Sequence, residues 1–146
     1  MEGPANEDER VLRVYGSSFE FLNNSDVYNC SEITFNYVDV EAIVRKASDI
    51  LKKFRFLKRI ILRNNAVKSL AMVAKLVVFY PPGQEILNEL CISYEGNPVV
   101  GISLFRFFAA YMFPHLKFLN LAEITEVERS RGAGLFGEMR KTNFDR

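Results

Sequence analysis

The residues of this chain that could form a nucleophile and its base are two cysteines, Cys30 and Cys91, and a single histidine, His115. A cysteine nucleophile needs a neighbouring base, usually a histidine, and a metal site built on histidines needs several of them. Cys30 is predicted to point into the core, and His115 stands in a Pro-His-Leu stretch where a strand is predicted to begin. The sequence therefore predicts no catalytic residue, no metal site and no cofactor.

Gly132 and Gly134 are the glycines that could suggest a phosphate-binding loop. A phosphate loop needs a Lys-Ser or Lys-Thr pair after its last glycine, or a preceding strand with a G-x-G-x-x-G turn, and neither context is present. Without nucleophile, base or phosphate loop, we expect a binding protein and not an enzyme.

The elements that must position any binding residue recur along the chain. The segment Leu57–Val67 fits L-x-x-L-x-L-x-x-N-x-L, with Asn65 at the asparagine position. Similar units begin at residues 30, 57, 87 and 116, so successive starts are 27, 30 and 29 residues apart. A near-constant spacing of this length indicates stacked leucine-rich repeats, in which neighbouring units bury a common core.

Three of the units depart from the pattern, and the first of them, Cys30–Phe35, is degenerate. In the unit that starts at Leu87 the asparagine, Asn97, comes two residues late, because 97 − 87 is 10 and 65 − 57 is 8. This difference predicts a short bulge. In the last unit Ile124 takes the asparagine position, and Leu119 and Leu121 are expected to point inward.

The segments between the predicted strands carry helical periodicity. An apolar stripe with spacing of three and four residues predicts a helix over Val40–Phe54. Shorter helices are predicted over Ser69–Phe79, which Pro81 ends, and over Ile102–Met112. Near the N-terminus, Val11–Tyr15 and Phe19–Phe21 are predicted to form a strand or hairpin that covers the first open edge.

The candidate binding surface follows from strand alternation, because every second strand residue points away from the core. On this concave face we expect Glu32, Thr34, Asn36, Arg59, Ile61, Arg63, Glu89, Cys91, Ser93, Phe118, Asn120 and Ala122. Arginine mixed with apolar groups is typical of protein-binding surfaces. The predicted partner-binding residues are Arg59, Ile61, Arg63, Glu89, Cys91, Phe118 and Asn120.

Charge is unevenly distributed although the net charge is only +1. Between Arg45 and Lys75 there are ten basic residues and one acid, Asp49. Such a band could contact RNA or an acidic protein, or could be the solvated back of the first helix. RNA recognition favours exposed aromatic residues among basic ones, and most phenylalanines here fall on predicted core positions. Acidic residues gather instead over Glu2–Glu9.

Composition and length limit the classes of protein to which this chain can belong. The 146 residues suffice for one domain with a real core. The acidic start, MEGPANEDER, predicts no secretory signal, and two cysteines are too few for a disulfide framework. The longest apolar run, near Val73–Tyr80, is far too short to span a membrane. We therefore expect a cytoplasmic or nuclear protein with no membrane partner.

The last third of the chain carries the most specific pattern. It contains Gly96–Pro98, Leu104–Phe108, Tyr111, Pro114–Asn120 and Ile124–Arg129. This series resembles the closing repeat and cap motif of intracellular leucine-rich-repeat proteins, a class that includes the spliceosomal A-prime protein, tubulin-folding cofactors, an axonemal dynein light chain and centrosomal and ciliary proteins. The resemblance spans about Leu57 to Phe136.

The resemblance implies a C-terminal cap helix. Thr125 and Glu128 have the spacing of a capping box that would begin it, and Leu135 and Phe136 would fold back over the final repeat. The sequence departs from the class at Asn120, where many members carry Asp, and at Gly132 and Gly134, which predict a short or frayed helix because glycine costs about 1 kcal/mol in a helix interior.

We thus expect an α/β fold: a short leucine-rich-repeat solenoid with a parallel concave sheet, convex helices and caps at both ends. A single domain is predicted over 1–146, divided into an N-terminal cap region (1–29), repeats (30–124) and a C-terminal cap and tail (125–146). The expected function is a non-enzymatic scaffold that binds another protein on the concave face. Alternatives are a ribonucleoprotein or RNA-export component that uses the Arg45–Lys75 band, and a structural subunit of a centrosomal, ciliary or microtubule-associated assembly.

Overall fold

A computed structural model describes residues 10–16, 18–83 and 86–144, with side chains described up to residue 137. The predicted acidic stretch Glu2–Glu9 and the end of the predicted tail lie outside the described residues. The predicted fold class is confirmed: the chain forms a short leucine-rich-repeat solenoid with a six-stranded sheet on one side and helices on the other. The predicted domain boundaries stay predictions.

The sheet follows the order of the chain, and its first five strands are parallel while the sixth is antiparallel. The strands are β1 (Val11–Tyr15), β2 (Glu32–Asn36), β3 (Arg59–Arg63), β4 (Glu89–Ile92), β5 (Phe118–Leu119) and β6 (Ala122–Glu123). Ile33, Ile60, Leu90 and Leu119 lie in register and are buried. Because the same repeat position faces inward in each unit, the core is continuous along the solenoid.

The helices are α1 (Val40–Arg45), α2 (Ala47–Lys53), α3 (Leu70–Ala74), α4 (Phe105–Met112) and α5 (Glu126–Phe144), with 3-10 turns at Glu20–Asn23, Ser25–Val27, Lys75–Phe79 and Pro98–Gly101. The prediction of one continuous helix over Val40–Phe54 is wrong, since Lys46 (φ −99°, ψ 5°) leaves the helical conformation. Ile43 and Ile50, on either side of this break, are both fully buried. A short non-helical link therefore preserves the apolar face while the helical layer bends over the sheet.

The two other predicted helices are shorter than their apolar patterns. The hydroxyl of Ser69 accepts a hydrogen bond from the backbone N–H of Met72 at 3.3 Å and begins α3, which tightens to a 3-10 turn after Ala74. The third helix begins at Phe105 and not at Ile102, because the preceding segment forms a 3-10 turn that starts at Pro98.

The last repeat departs from the predicted inward leucines. Leu121 is 77% exposed, so its predicted place in the core is wrong. Asn120 and Leu121 adopt positive φ angles of 52° and 69° and turn the chain back into the antiparallel β6. Ile124 fills the core position instead and is buried.

The N-terminal segment adds a parallel strand, so the alternative of a hairpin is wrong. β1 pairs with β2 in register, and the backbone N–H of Gly16 continues the ladder to the carbonyl of Asn36 at 2.9 Å. Phe19 and Phe21 pack against Phe35 with ring centroids 6.5 and 6.3 Å away. No helix in the described part of the chain is long and apolar enough to cross a membrane.

Candidate functional site

Two buried asparagines fix the point at which the chain leaves the sheet. The side-chain oxygen of Asn97 accepts hydrogen bonds from the backbone N–H groups of Asn65 and Val67, both at 3.1 Å. The amide group of Asn65 in turn donates to the carbonyl of Val38 at 2.7 Å. The side chains of the repeat asparagines therefore bind backbone groups where the chain turns out of the sheet. The two extra residues before Asn97 form a turn that contains Gly96 (φ +69°).

Arg59 lies at the centre of a charged row across the concave face. In the sheet register Glu32, Arg59, Glu89 and Phe118 are successive neighbours. The Nε of Arg59 donates to Glu89 at 2.8 Å, and its Nη1 donates to Glu32 at 2.6 Å. The hydrogen bond that Arg59 donates to Glu89 raises the pKa of Arg59. Two carboxylates therefore hold the guanidinium, and these hydrogen bonds restrain the side chains of Glu32, Arg59 and Glu89.

An apolar row runs beside the charged one. Thr34, Ile61 and Cys91 lie in register, and both Ile61 and Cys91 are half-buried. Burial raises the pKa of the Cys91 thiol, so the neutral thiol is stabilised. Cys91 is thus a small apolar part of the surface, and Cys30 is buried in the core as predicted.

Arg63 forms an exposed ion pair with Glu95 at the end of the sheet where the parallel strands finish, which we call the carboxyl edge. Beside this pair is an open pocket of about 420 Å³ on the concave side. Its lining includes Arg13, Tyr15, Asn36, Tyr37, Arg63 and Glu95.

Tyr15, Tyr37 and Arg13 are surface residues that sequence reasoning missed. Tyr15 and Tyr37 are 64% and 69% exposed, which is high for a large aromatic side chain. The alternation of Leu12 and Val14 in β1 already places Tyr15 outward. This alternation identifies Tyr15 as a concave-face residue only if β1 belongs to the same parallel sheet, and the sequence of β1 does not show that pairing.

The remaining predicted concave residues belong to the last strands. Phe118 is half-buried at the end of the charged row. Asn120 accepts the backbone N–H of Ile92 at 2.7 Å, so its side chain joins two repeats. The prediction that Ala122 extends the parallel face is wrong, because Ala122 pairs with Leu119 in the antiparallel β6.

The basic band divides into paired and unpaired members. Four members form an ion pair with a carboxylate: Lys58, Arg59, Arg63 and Lys75. Lys53 donates to the carbonyl of Leu22 at 2.8 Å. Five basic residues of the band are exposed and form no ion pair with any described residue: Arg45, Lys46, Lys52, Arg55 and Lys68.

The C-terminal helix α5 packs on α4. The backbone N–H of Glu128 donates to the Thr125 hydroxyl at 3.1 Å, and the carboxylate of Glu128 accepts the Thr125 N–H at 3.0 Å, as the predicted capping box requires. Arg106 donates to Glu128 at 2.5 Å and to the carbonyl of Leu119 at 2.6 Å. These contacts tie the start of α5 to the last strands.

The predicted short helix is wrong, since α5 spans 19 residues. Gly132 is buried against α4, where a larger residue would collide with the Phe107 carbonyl, so this glycine permits close packing. Phe136 packs against Phe108 at 5.0 Å between ring centroids, whereas Leu135 is exposed and does not fold back.

Comparisons with solved structures find similar folds. A chain of the Mex67:Mtr2 subunits from Chaetomium aligns with a TM-score of 0.55 and 17% identity, covering 85% of this chain and 88% of that chain. A chain of the SNF/U2A' complex from Drosophila melanogaster aligns with a TM-score of 0.58 and 21% identity, covering 93% and 85%. No protein-family model matches the chain, and no curated protein is significantly similar in sequence.

Proposed function

We propose that this chain is a non-catalytic scaffold that binds another protein across its concave face. The observation that carries the proposal is the arrangement around Ile61, where a half-buried apolar row lies beside a neutralised charged row and an edge rich in tyrosine and arginine. Protein interfaces concentrate their binding energy in such aromatic, arginine and aliphatic groups.

Pre-organisation supports the proposal. Arg59 is held by Glu32 and Glu89, so a partner that covers this row does not have to immobilise a free arginine. Ordering a long side chain at an interface costs about 0.5–1.5 kcal/mol. The predicted binding residues Arg59, Glu89 and Asn120 therefore shape the surface, while Ile61, Cys91, Phe118 and Arg63 are its contact residues.

The similar solved structures are consistent with a scaffold, since each is a structure of subunits in a complex. We also propose that α5 is the cap of the intracellular leucine-rich-repeat class, on the basis of the capping box at Thr125 and the packing of Gly132 and Phe136. Membership in that class would place the protein in the cytoplasm or nucleus.

Affinity capture of interacting proteins with the full chain tests the proposal. Ile61→Arg places a charge in the apolar row, and Val78→Arg is its matched control because Val78 is an exposed apolar residue of the convex layer. We expect Ile61→Arg to remove the captured partner and Val78→Arg to retain it. If both variants retain every partner, the concave face is not the interface.

Two milder variants separate binding from folding. Tyr37→Ala removes an exposed ring, and truncation of an aromatic hot-spot residue of an interface costs about 2 kcal/mol or more in binding free energy. Arg63→Glu reverses a charge at the carboxyl edge without entering the core. Arg59→Glu is a poorer test, since it would place three carboxylates side by side with Glu32 and Glu89.

A further inference from the structure

The opposite end of the sheet carries a second group of basic residues. We define the amino edge as the end at which the parallel strands begin. Lys58 and Lys117 directly precede β3 and β5, and backbone hydrogen bonds from Lys117 to Asn88 (2.8 Å) and from Asn88 to Lys58 (3.2 Å) align them. They lie two strands apart, which is about 10 Å at the usual strand spacing.

Lys52 and Arg55 extend this edge toward the helical layer. Lys52 is in the last turn of α2, and Arg55 follows in the turn that leads to β3. Lys52, Arg55 and Lys117 are exposed and form no ion pair with any residue of the described ranges. On the concave face, by contrast, Arg59 and Arg63 are neutralised by glutamates. Unlike these two arginines, Lys52, Arg55 and Lys117 are available to contact an anionic partner.

An exposed aromatic ring lies within this basic group. Phe56 is 64% exposed and stands between Arg55 and Lys58 in the sequence, although Phe54 and Leu57 beside it are buried. Next to Arg55 is a pocket of about 350 Å³ whose lining includes Leu51, Phe54, Leu57 and Leu87. A solvent-facing phenylalanine therefore lies next to Arg55 in the chain, and Arg55 borders an apolar recess.

We propose that the amino edge binds single-stranded nucleic acid, with phosphates at Lys52, Arg55 and Lys117 and an unpaired base stacked on Phe56. Basic side chains that follow a backbone, combined with an exposed ring, are the usual elements of a single-strand site. A duplex keeps its bases stacked and offers nothing to the ring. Because Lys117 directly precedes the proposed contact residue Phe118, this edge borders the concave face.

The test measures fluorescence anisotropy of a labelled oligouridine of about 12 nucleotides titrated with the full chain. Titrations start at about 50 mM salt and are repeated at higher salt, because each phosphate contact on a single strand contributes about 0.7 to the slope of log K against log salt. The variants are Lys52→Glu/Arg55→Glu and Phe56→Ala. Lys68→Glu is the matched control, since Lys68 is an exposed lysine on the chain leaving β3 at the carboxyl edge.

We expect the charge-reversal variant to bind at least about tenfold more weakly, with its salt slope reduced by about 1.4 for two lost contacts. Phe56→Ala should weaken binding by roughly five- to a hundredfold with an unchanged salt slope, because it removes stacking and no charge. Lys68→Glu should bind like the wild type. Circular dichroism melting of each variant verifies that these exposed substitutions leave the fold intact.

Four results would overturn the proposal. They are the absence of saturable binding at low salt, an equal loss of affinity in Lys68→Glu, an unchanged affinity in Phe56→Ala, and binding of the wild type to phosphatidylserine vesicles but not to the oligonucleotide. The last result would assign the amino edge to a membrane surface. The capture experiment with Ile61→Arg is independent of all of them.

Discussion

Gly132 in α5 lies directly against the backbone carbonyl of Phe107 in α4. A Cβ atom at position 132 would overlap that carbonyl oxygen and would lie 3.1 Å from the Cβ of Tyr111. Gly134, two residues further along the same helix, has no atom within 4 Å of the corresponding position. The two glycines therefore differ in what a methyl group would do.

We expect Gly132→Ala to destabilise the protein by about 1–3 kcal/mol, because overlap with backbone forces the two helices apart. Gly134→Ala is the matched control and should be neutral or stabilise by up to about 1 kcal/mol through helix propensity. Urea unfolding of both variants measures the difference. Equal effects of the two substitutions would contradict the close packing of α5 on α4.

The hydrogen bonds of Asn97 should make it one of the most sensitive polar positions. Asn97→Ala leaves the buried N–H groups of Asn65 and Val67 without their acceptor, and each unsatisfied buried group costs about 1–3 kcal/mol. We expect a loss of at least about 2 kcal/mol in the free energy of unfolding. Asn29→Ala, at an exposed asparagine, is the control and should have little effect.

Two arginines of the same strand should contribute differently to stability. The side chain of Arg59 is 20% exposed between two carboxylates, whereas that of Arg63 is 47% exposed beside Glu95. Arg59→Ala leaves two facing carboxylates and should cost about 2 kcal/mol at neutral pH, while Arg63→Ala should cost less than about 1 kcal/mol. Chemical denaturation measures both, and a greater loss for Arg63→Ala would refute the assignment.

Acid should weaken the attachment of α5. The hydrogen bond from Arg106 lowers the pKa of Glu128 from its usual value of 4.5. Because the folded pKa is lower than the unfolded one, the contribution is fully present above about pH 4.5 and is lost as pH falls through the folded pKa. We expect thermal stability of the wild type to fall more steeply below that pH than that of Glu128→Gln. Glu126→Gln, at an exposed glutamate of the same turn, should follow the wild type.

The two cysteines should react in a fixed order. The thiolate is the reactive form, and burial raises the pKa of both Cys30 and Cys91. Cys91 is half-exposed on the concave face while Cys30 is buried, so iodoacetamide should modify Cys91 first, and both more slowly than in urea. Mass spectrometry of the labelled peptides determines the order. A bound partner should protect Cys91, whereas early labelling of Cys30 would contradict its place in the core.

The repeat positions were predictable because their pattern is local. Ile60 and Leu62 are buried, as strand alternation requires, and Leu57, which begins the same repeat, is buried with them. The break at Lys46 was not predictable, since an apolar stripe reports which face is buried and not whether the helix is continuous. Leu121 followed the pattern in sequence but lies in a left-handed turn that only the antiparallel return of β6 explains.

The candidate site was predictable in position more than in chemistry. Alternation placed Arg59 and Ile61 on the same face, and both are half-buried while Ile60 and Leu62 are buried. It could not show that Arg59 is held by Glu32 and Glu89, because these glutamates are 27 and 30 residues away in sequence. Nor could helix propensity show that Gly132 packs on Phe107, since propensity contains no information about a neighbouring helix.

The hydrogen bonds that link Asn97 to the preceding repeat also have a consequence for local unfolding of the molecule. The amide protons of Asn65 and Val67 are bonded to a side chain about 30 residues further along the chain. They can exchange with solvent only when two adjacent repeats separate, and not by fraying within one repeat. Their hydrogen-exchange rates would therefore measure the free energy of parting one repeat from the next, and so how far this short solenoid unfolds as a single unit.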